Sequence, residues 1–303
     1  METSPRVSVV IPTRNRPELV LRAVRSALSQ TYKNLEVVVV VDGPDPETVK
    51  AVTDLGEFCV RVRHLTESVG GAEARNEGVR TAGGEWIAFL DDDDEWLPSK
   101  IERQLEAARA SKATFPIVTT RLIARRADSE EVWPRRQRRC GEDMGEYLLC
   151  REVSVRQGEG FIQTSTLLVP RELLILLPFT RGLPRHQDWD WLIRVAARPD
   201  VSVEWAWNPL TIYHIDEGRQ SISRRKDEEP SIDWVKGNAL ITPKARAYFY
   251  ATQVAVRCTS IKTFISVVQR TISYPRAFWI AMGLTFAPQS LVSRRRNGMP
   301  CHG

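Results

Sequence analysis

Short, almost unbroken apolar runs punctuate the first hundred residues. They are Val7-Ser8-Val9-Val10-Ile11, Leu35-Glu36-Val37-Val38-Val39-Val40-Val41, about Val60 to Leu65, and Trp86-Ile87-Ala88-Phe89-Leu90. β-Branched residues dominate and alternation is weak, the pattern of parallel strands covered on both faces. Behind Arg16-Pro17, the residues Leu19, Val20, Ala23, Val24, Ala27 and Leu28 recur at helical spacing, and Pro17 suits a first turn. A second helix is expected after Gly43-Pro44 and a third after Gly70-Gly71. The order β-α-β-α-β-α-β with short connections predicts an α/β fold, a doubly wound, mostly parallel sheet flanked by helices, with its strand ends converging on one crevice.

Farther along, Ile101, Leu105 and Ala108 predict a helix, with Ser99-x-x-Glu102 reading as its capping box. Residues 121–143 read as an exposed excursion or irregular strand pair, 161–170 as a strand, Asp188 to Arg198 as a helix, and Val201 to Trp207 with Leu210 to Ile215 as strands. The charged stretch from Arg224 to Asp233 reads as a linker. Beyond it the pattern is helical from Ala239 to Arg270 and from Tyr274 to Val292. The expected division is a catalytic domain over 1–225, itself split into 7–110 and 111–225, followed by a C-terminal helical extension over 226–303.

A net charge of +5 over 303 residues, with both signs interspersed, gives no reason to expect nucleic acid as a partner. Five cysteines without CxxC spacing argue against a disulfide framework and a zinc site, and point to a reducing, cytoplasmic setting. The run Val7 to Ile11 is too short for the apolar core of a signal peptide. The longest uncharged stretch, Ala277 to Ser293, has 17 residues and contains Pro288, whereas a spanning helix needs roughly 20. Followed by Arg294-Arg295-Arg296, it reads either as a peripheral contact with anionic lipid on the cytoplasmic membrane face or as a helix packed on the catalytic domain.

The candidate chemistry begins where the fourth apolar run ends. Asp91, Asp92, Asp93 and Asp94 bring several carboxylates to one strand end, where ligands bind in α/β sheets. Like charges this close resist joint ionisation, and a divalent cation with oxygen preference offsets the repulsion; such an ion in turn favours a phosphate-bearing ligand. A solvated turn capping the next helix would account for one or two of the acids.

Four segments, taken together and in order, resemble the nucleotide-sugar-binding half of the family-two glycosyltransferases of GT-A fold. These are Val9-Val10-Ile11-Pro12-Thr13-Arg14-Asn15-Arg16, Val41-Asp42-Gly43-Pro44, Gly70-Gly71-Ala72-Glu73-Ala74-Arg75-Asn76-Glu77-Gly78, and Gly83 through Asp94. The resemblance implies that Pro12, Thr13, Asn15 and Asp42 hold the base and ribose, although Asp42 in Asp-Gly-Pro is equally a turn residue. Gly71, Arg75 and Asn76 would face the diphosphate at a helix start, where free N–H groups favour an anion. As surface residues of an amphipathic helix, Arg75 and Asn76 would need no such role. Asp91-x-Asp93 matches the family's DxD motif, with Asp93 on the metal, Asp91 near the ribose or the metal, and Asp92 on the donor side; Asp92-x-Asp94 satisfies the same spacing one residue on.

In the second half, Arg185-His186-Gln187-Asp188-Trp189-Asp190 resembles the family's acidic motif, which makes Asp188 the catalytic base, although Gln187 stands where Glu is usual. Asp188 and Asp190 lie about 200° apart on a helix, so both cannot point into one site, and either alone could be an N-cap. His214 matches a histidine that completes the metal or diphosphate site in many relatives, or it is a structural histidine, with Gln220-Ser221-Ile222-Ser223 resembling the polar segment that follows. Thr164, Ser165 and Thr166 either line the acceptor pocket or belong to a strand with alternating hydroxyls. The expected enzyme is an inverting glycosyltransferase using Mg²⁺ or Mn²⁺, a nucleotide-sugar donor (a UDP-sugar first among them), and a glycan or lipid-linked acceptor. Its rivals are a metal-dependent nucleotidyltransferase, which would want glycine in the Pro12 to Arg16 loop, and a non-catalytic sugar-nucleotide-binding protein.

Overall fold

The computed structural model describes residues 4–151, 158–215, 228–258 and 260–285. It divides into two compact units, Met1–Trp133 with Ile162–Leu183 and Asp190–Asp216, and Pro134–Phe161 with Pro184–Trp189 and Glu217–Gly303. The second unit thus draws on two internal segments besides the C-terminal one.

The first unit opens with β1 (Val7–Thr13), α1 (Pro17–Leu28), β2 (Leu35–Val41), α2 (Pro46–Thr53), β3 (Val60–His64), α3 (Gly71–Thr81) and β4 (Trp86–Phe89). It continues with β5 (Glu95–Trp96), α4 (Lys100–Ala110), β6 (Phe115–Arg125) and β7 (Glu130–Trp133). In the second unit the chain forms α5 (Met144–Leu149), then returns to the first with β8 (Leu168–Pro170) and α6 (Arg171–Leu176). Helix α7 (Gln187–Ala196) precedes β9 (Val201–His214), and the second unit ends in α8 (Glu229–Gly237), α9 (Pro243–Phe249), α10 (Ile261–Thr271) and α11 (Pro275–Thr285).

The strand order is β3-β2-β1-β4-β8-β6-β9-β5, with β7 paired to β6 alone. The first four strands are parallel, as their continuous Val runs imply; Val9, Val10, Val37, Val38 and Val39 are wholly buried. From β8 onward the sheet is mixed, antiparallel at β4–β8, β8–β6 and β9–β5 and parallel at β6–β9. Helix α3 packs closely on β1 through Gly78, where a Cβ would lie 2.2 Å from Val10 Cγ1.

Four local expectations change. Ser99 makes no side-chain cap, because its backbone (φ −93°, ψ 10°) lacks the extended geometry an N-cap needs. Gln30 Oε1 instead accepts the Ile101 N–H at 3.1 Å, and Glu102 accepts from Thr31. The segment 161–170 is a strand only at its end, since Thr164–Thr166 forms a 3₁₀ turn. Part of the expected linker is helical, with α8 beginning at Glu229. The two strands expected after Val201 are one long β9, whose register against β6 shifts around Arg121. Among the described residues no helix is long and apolar enough to cross a membrane.

Candidate active site

Strand register in the first unit brings the acids beside the loop after β1. The Asp42 N–H donates to Thr13 O at 2.9 Å and the Leu90 N–H to Val10 O at 3.1 Å, so the chain leaves β1, β2 and β4 side by side. A bend closed by the Asp94 N–H on Asp91 O then sends the four carboxylates in different directions. Asp91 Oδ1 accepts from Arg75 Nη2 at 2.6 Å, and its Oδ2 from Gln163 Nε2 at 3.2 Å. Asp92 turns inward, accepting from Thr13 Oγ1 at 2.8 Å and Arg16 Nη1 at 3.0 Å. Asp93 is the most open of the four, 31% of its side chain exposed, with Oδ2 at 3.5 Å from Arg16 Nη1. Asp94 is fully buried: Ser165 Oγ at 2.6 Å and Gln163 Nε2 at 2.7 Å donate to its Oδ2, while Oδ1 has no hydrogen-bond partner.

This geometry adds further means of offsetting the charge of four adjacent acids. Burial, with Asp93 beside it, pushes the Asp92 carboxyl up to about 6, and burial with Asp93 and Asp91 nearby raises Asp94 well above the ordinary range. Protonation, Arg16 and Arg75 therefore offset much of the repulsion. The linkage can be tested, because folded Asp92 holds its proton more tightly than the unfolded chain does. Its contribution to stability is present below its ordinary value of 3.8 and lost as pH rises through about 6. In urea unfolding, the stability of wild type relative to Asp92→Asn is expected to fall by about 2 kcal/mol from about pH 4.5 to about pH 7.5; a flat difference would contradict the shift.

Asp42 is buried and grips the entry to α3: Oδ1 accepts from the Val69 N–H at 2.7 Å, and Oδ2 from the Gly70 N–H and Ser68 Oγ, each at 3.0 Å. Two N–H groups just ahead of Gly71, the first residue of α3, are thus already held by a carboxylate. Asn15 adopts the left-handed backbone (φ 53°) and donates its N–H to Asp45, which also caps α2 through Thr48. Pro12 is partly exposed on β1 opposite Val40.

Two expected site residues have other work. Asn76 is buried and donates to Phe179 O and Glu73, while its Oδ1 accepts the Phe179 N–H at 3.0 Å; with both amide protons engaged, it anchors the Phe179 segment in place of a donor. His214 Nε2 lies 2.7 Å from Glu95 Oε1, and burial lowers its pKa against that contact. It pairs with Glu95, and among the described residues no three His, Cys, Asp or Glu side chains gather closely enough to hold a metal. The donor set nevertheless fits one kind of ion. Mg²⁺-like cations are held by one or two carboxylates plus substrate phosphates, and Asp93 with Asp91 offers that and no closed cage.

Asp190 Oδ2, in the first unit, accepts from Thr180 Oγ1 at 2.6 Å and Arg194 Nε at 2.9 Å, which occupies it structurally. Asp188, in the second unit, is half-buried, and its Oδ1 accepts the Trp189 N–H at 2.9 Å. Just before it, His186 takes a left-handed backbone (φ 58°) and packs among Trp189, Trp234 and Phe249, with centroids 4.9–5.1 Å away, its Nε2 2.9 Å from Ser231 Oγ. The segment Gln220 to Ser223 lies outside the described residues. From sequence, Ser165 is only a candidate acceptor-pocket residue, and Gln163, Arg16 and His186 have no assigned role. Arg16 and His186 each gave a signal, by standing in the first motif and in the acidic motif of the second half.

The family model for glycosyl transferase family 2 matches residues 8–166, just over half of the chain and all of the strand-end acids. The chain belongs to that family. As a family 2 glycosyltransferase it is 28% identical, over 90% of its length and 90% of the relative's, to the amylovoran biosynthesis glycosyltransferase AmsB of Erwinia amylovora. Its GT-A fold is similar to S. aureus TarS 1-349 in complex with UDP-GlcNAc, at a TM-score of 0.60 and 16% identity over 97% of this chain and 88% of that one. It is also similar to the mannosyltransferase PcManGT of Pyrobaculum calidifontis in complex with GDP-Man and Mn²⁺, at a TM-score of 0.57 and 18% identity over 97% and 85%. Family 2 membership sets aside the nucleotidyltransferase and non-catalytic readings.

Proposed function

We propose that this glycosyltransferase works with inversion and metal assistance, moving a sugar from a nucleotide-sugar donor, a UDP-sugar first among them, to a hydroxyl of a glycan or lipid-linked acceptor. Polysaccharide or glycolipid biosynthesis is the setting, in keeping with the role that AmsB's name records. The observation that carries the reading is the open Asp93 carboxylate at the end of β4, beside the Arg75–Asp91 pair and the Thr13–Arg16 loop. Asp93, with Asp91, would hold Mg²⁺ or Mn²⁺, which when bound offsets charge on the departing diphosphate. Arg75 adds a cation near the phosphates, and Pro12, Thr13, Asn15 and Asp42 bound the region for base and ribose. Asp188 takes the proton of the acceptor hydroxyl as its oxygen attacks the anomeric carbon from the face opposite the diphosphate. Both solved neighbours were captured with nucleotide sugars, one of them with Mn²⁺, which supports the donor class and the ion.

A panel of UDP- and GDP-sugars, measured by thermal shift with and without Mn²⁺ and then by transfer to acceptor, tests the proposal. Stabilisation and transfer with one nucleotide class, both dependent on the ion, are expected. Transfer with retention of anomeric configuration, or undiminished in chelator, would refute the mechanism while leaving family membership intact.

A further inference from the structure

Helix α10 of the second unit wears its polarity inside out. The residues it buries are Thr263, Val267 and Thr271. Ile261 and Ile265, together with Ile272 just past its end, are turned to solvent, respectively 80%, 49% and 62% exposed. At 3.6 residues per turn, these isoleucines and the partly buried Val268 fall within about 60° of one another, a single stripe. A helix that serves only its own core turns its apolar face inward. In the following α11, Trp279 is 71% exposed. Lys262, Arg270 and Arg276 are also exposed on these two helices.

Charge indicates what covers this face. From Trp234 to Gly303 the chain carries ten Lys and Arg and no Asp or Glu, whereas the residues before Trp234 carry 33 basic and 38 acidic side chains. Two copies meeting through the stripe would bring two such cationic segments together, which opposes self-association. An anionic bilayer surface meets both demands, with isoleucine side chains entering the headgroup–acyl boundary, an indole at the interface, and basic residues facing lipid phosphates at about 1 kcal/mol each.

We propose that the outward face of α10, with Trp279 of α11, is an interfacial docking surface for anionic phospholipid bilayers. It lies in the plane of the membrane and spans nothing. The inference is independent of the sugar-transfer mechanism and requires no catalytic residue.

Flotation of the full chain with phosphatidylcholine vesicles, with and without phosphatidylglycerol, tests it. Binding only to the phosphatidylglycerol vesicles is expected, weakening with salt. The double variants Ile265→Glu/Ile272→Glu and Ile265→Thr/Ile272→Thr should lose at least tenfold in binding without a fall in Tm, because both sites are solvent-exposed. Failure of wild type to float with anionic vesicles overturns the proposal, as does binding that survives in folded variants. A wild-type dimer that dissociates in the variants and shows no lipid binding would make the stripe a self-association face, also overturning it.

Discussion

Asp93→Ala is expected to abolish donor-dependent stabilisation while leaving the unliganded fold at least as stable as wild type. A donor at a hundred times its Kd stabilises the native state by about 2.7 kcal/mol, several degrees in Tm for a protein of this size. That increment should appear in wild type with Mn²⁺ and vanish in chelator or in the variant. The unliganded variant should not suffer, because Asp93 is the most exposed of the four acids and its charge is one of the causes raising the pKa of buried Asp92. Asp94→Ala should behave in the opposite way, since it removes the acceptor of both Ser165 and Gln163 from a fully buried position and so lowers Tm with or without donor. This contrast also separates the two frames of the motif. Full donor stabilisation in Asp93→Ala would exclude Asp93 as the metal-holding residue.

For Asp188→Asn, transfer to acceptor should fall by about a hundredfold or more, with donor affinity near that of wild type, because asparagine keeps the size of aspartate but cannot accept the acceptor proton. Asp190→Asn has a different expected phenotype. Its carboxylate is engaged by Thr180 and Arg194, so the variant should lose some stability and little turnover per folded molecule. Transfer must be the readout, as hydrolysis of the donor by water does not require the same base. If Asp190→Asn is inactive and Asp188→Asn transfers normally, the motif is displaced by two residues; if both transfer normally, the carboxylate mechanism is wrong.

The N-terminal half was legible because its strands are buried on both faces, so apolar runs mark them directly. Leu35–Val41 and Trp86–Phe89 emerged from the valines and aromatics almost residue for residue. The site was legible as far as motifs reached, which is to the strand ends. What the acids do next depends on partners distant in sequence, and no local pattern announces these. Gln163 and Ser165 reach Asp94 from about 70 residues away, at the start of and within a 3₁₀ turn whose hydroxyls look like strand alternation. His214 illustrates the same limit, since its neighbour Glu95 lies 119 positions earlier and is brought to it by the β5–β9 pairing. Asn76 matched its motif by type and position, yet its amide is directed at Phe179, a contact across 103 positions.

That last contact bears on how such enzymes can be recombined. Asn76 binds the backbone N–H and C=O of residue 179, so it reads the route of the chain there and is indifferent to the side chain. The Phe179 ring is held separately, stacked 5.3 Å from Trp191 and edge-on to Phe89 at 5.4 Å. A chimera joined near residue 166, where the family match ends, is therefore expected to accept a following segment of quite different sequence, provided it presents one peptide unit to Asn76 and an aromatic ring between positions 89 and 191. Grafts that preserve sequence identity but shorten this segment would strand a buried amide, at a cost of about 1–3 kcal/mol, and should show a lowered Tm before any question of specificity arises.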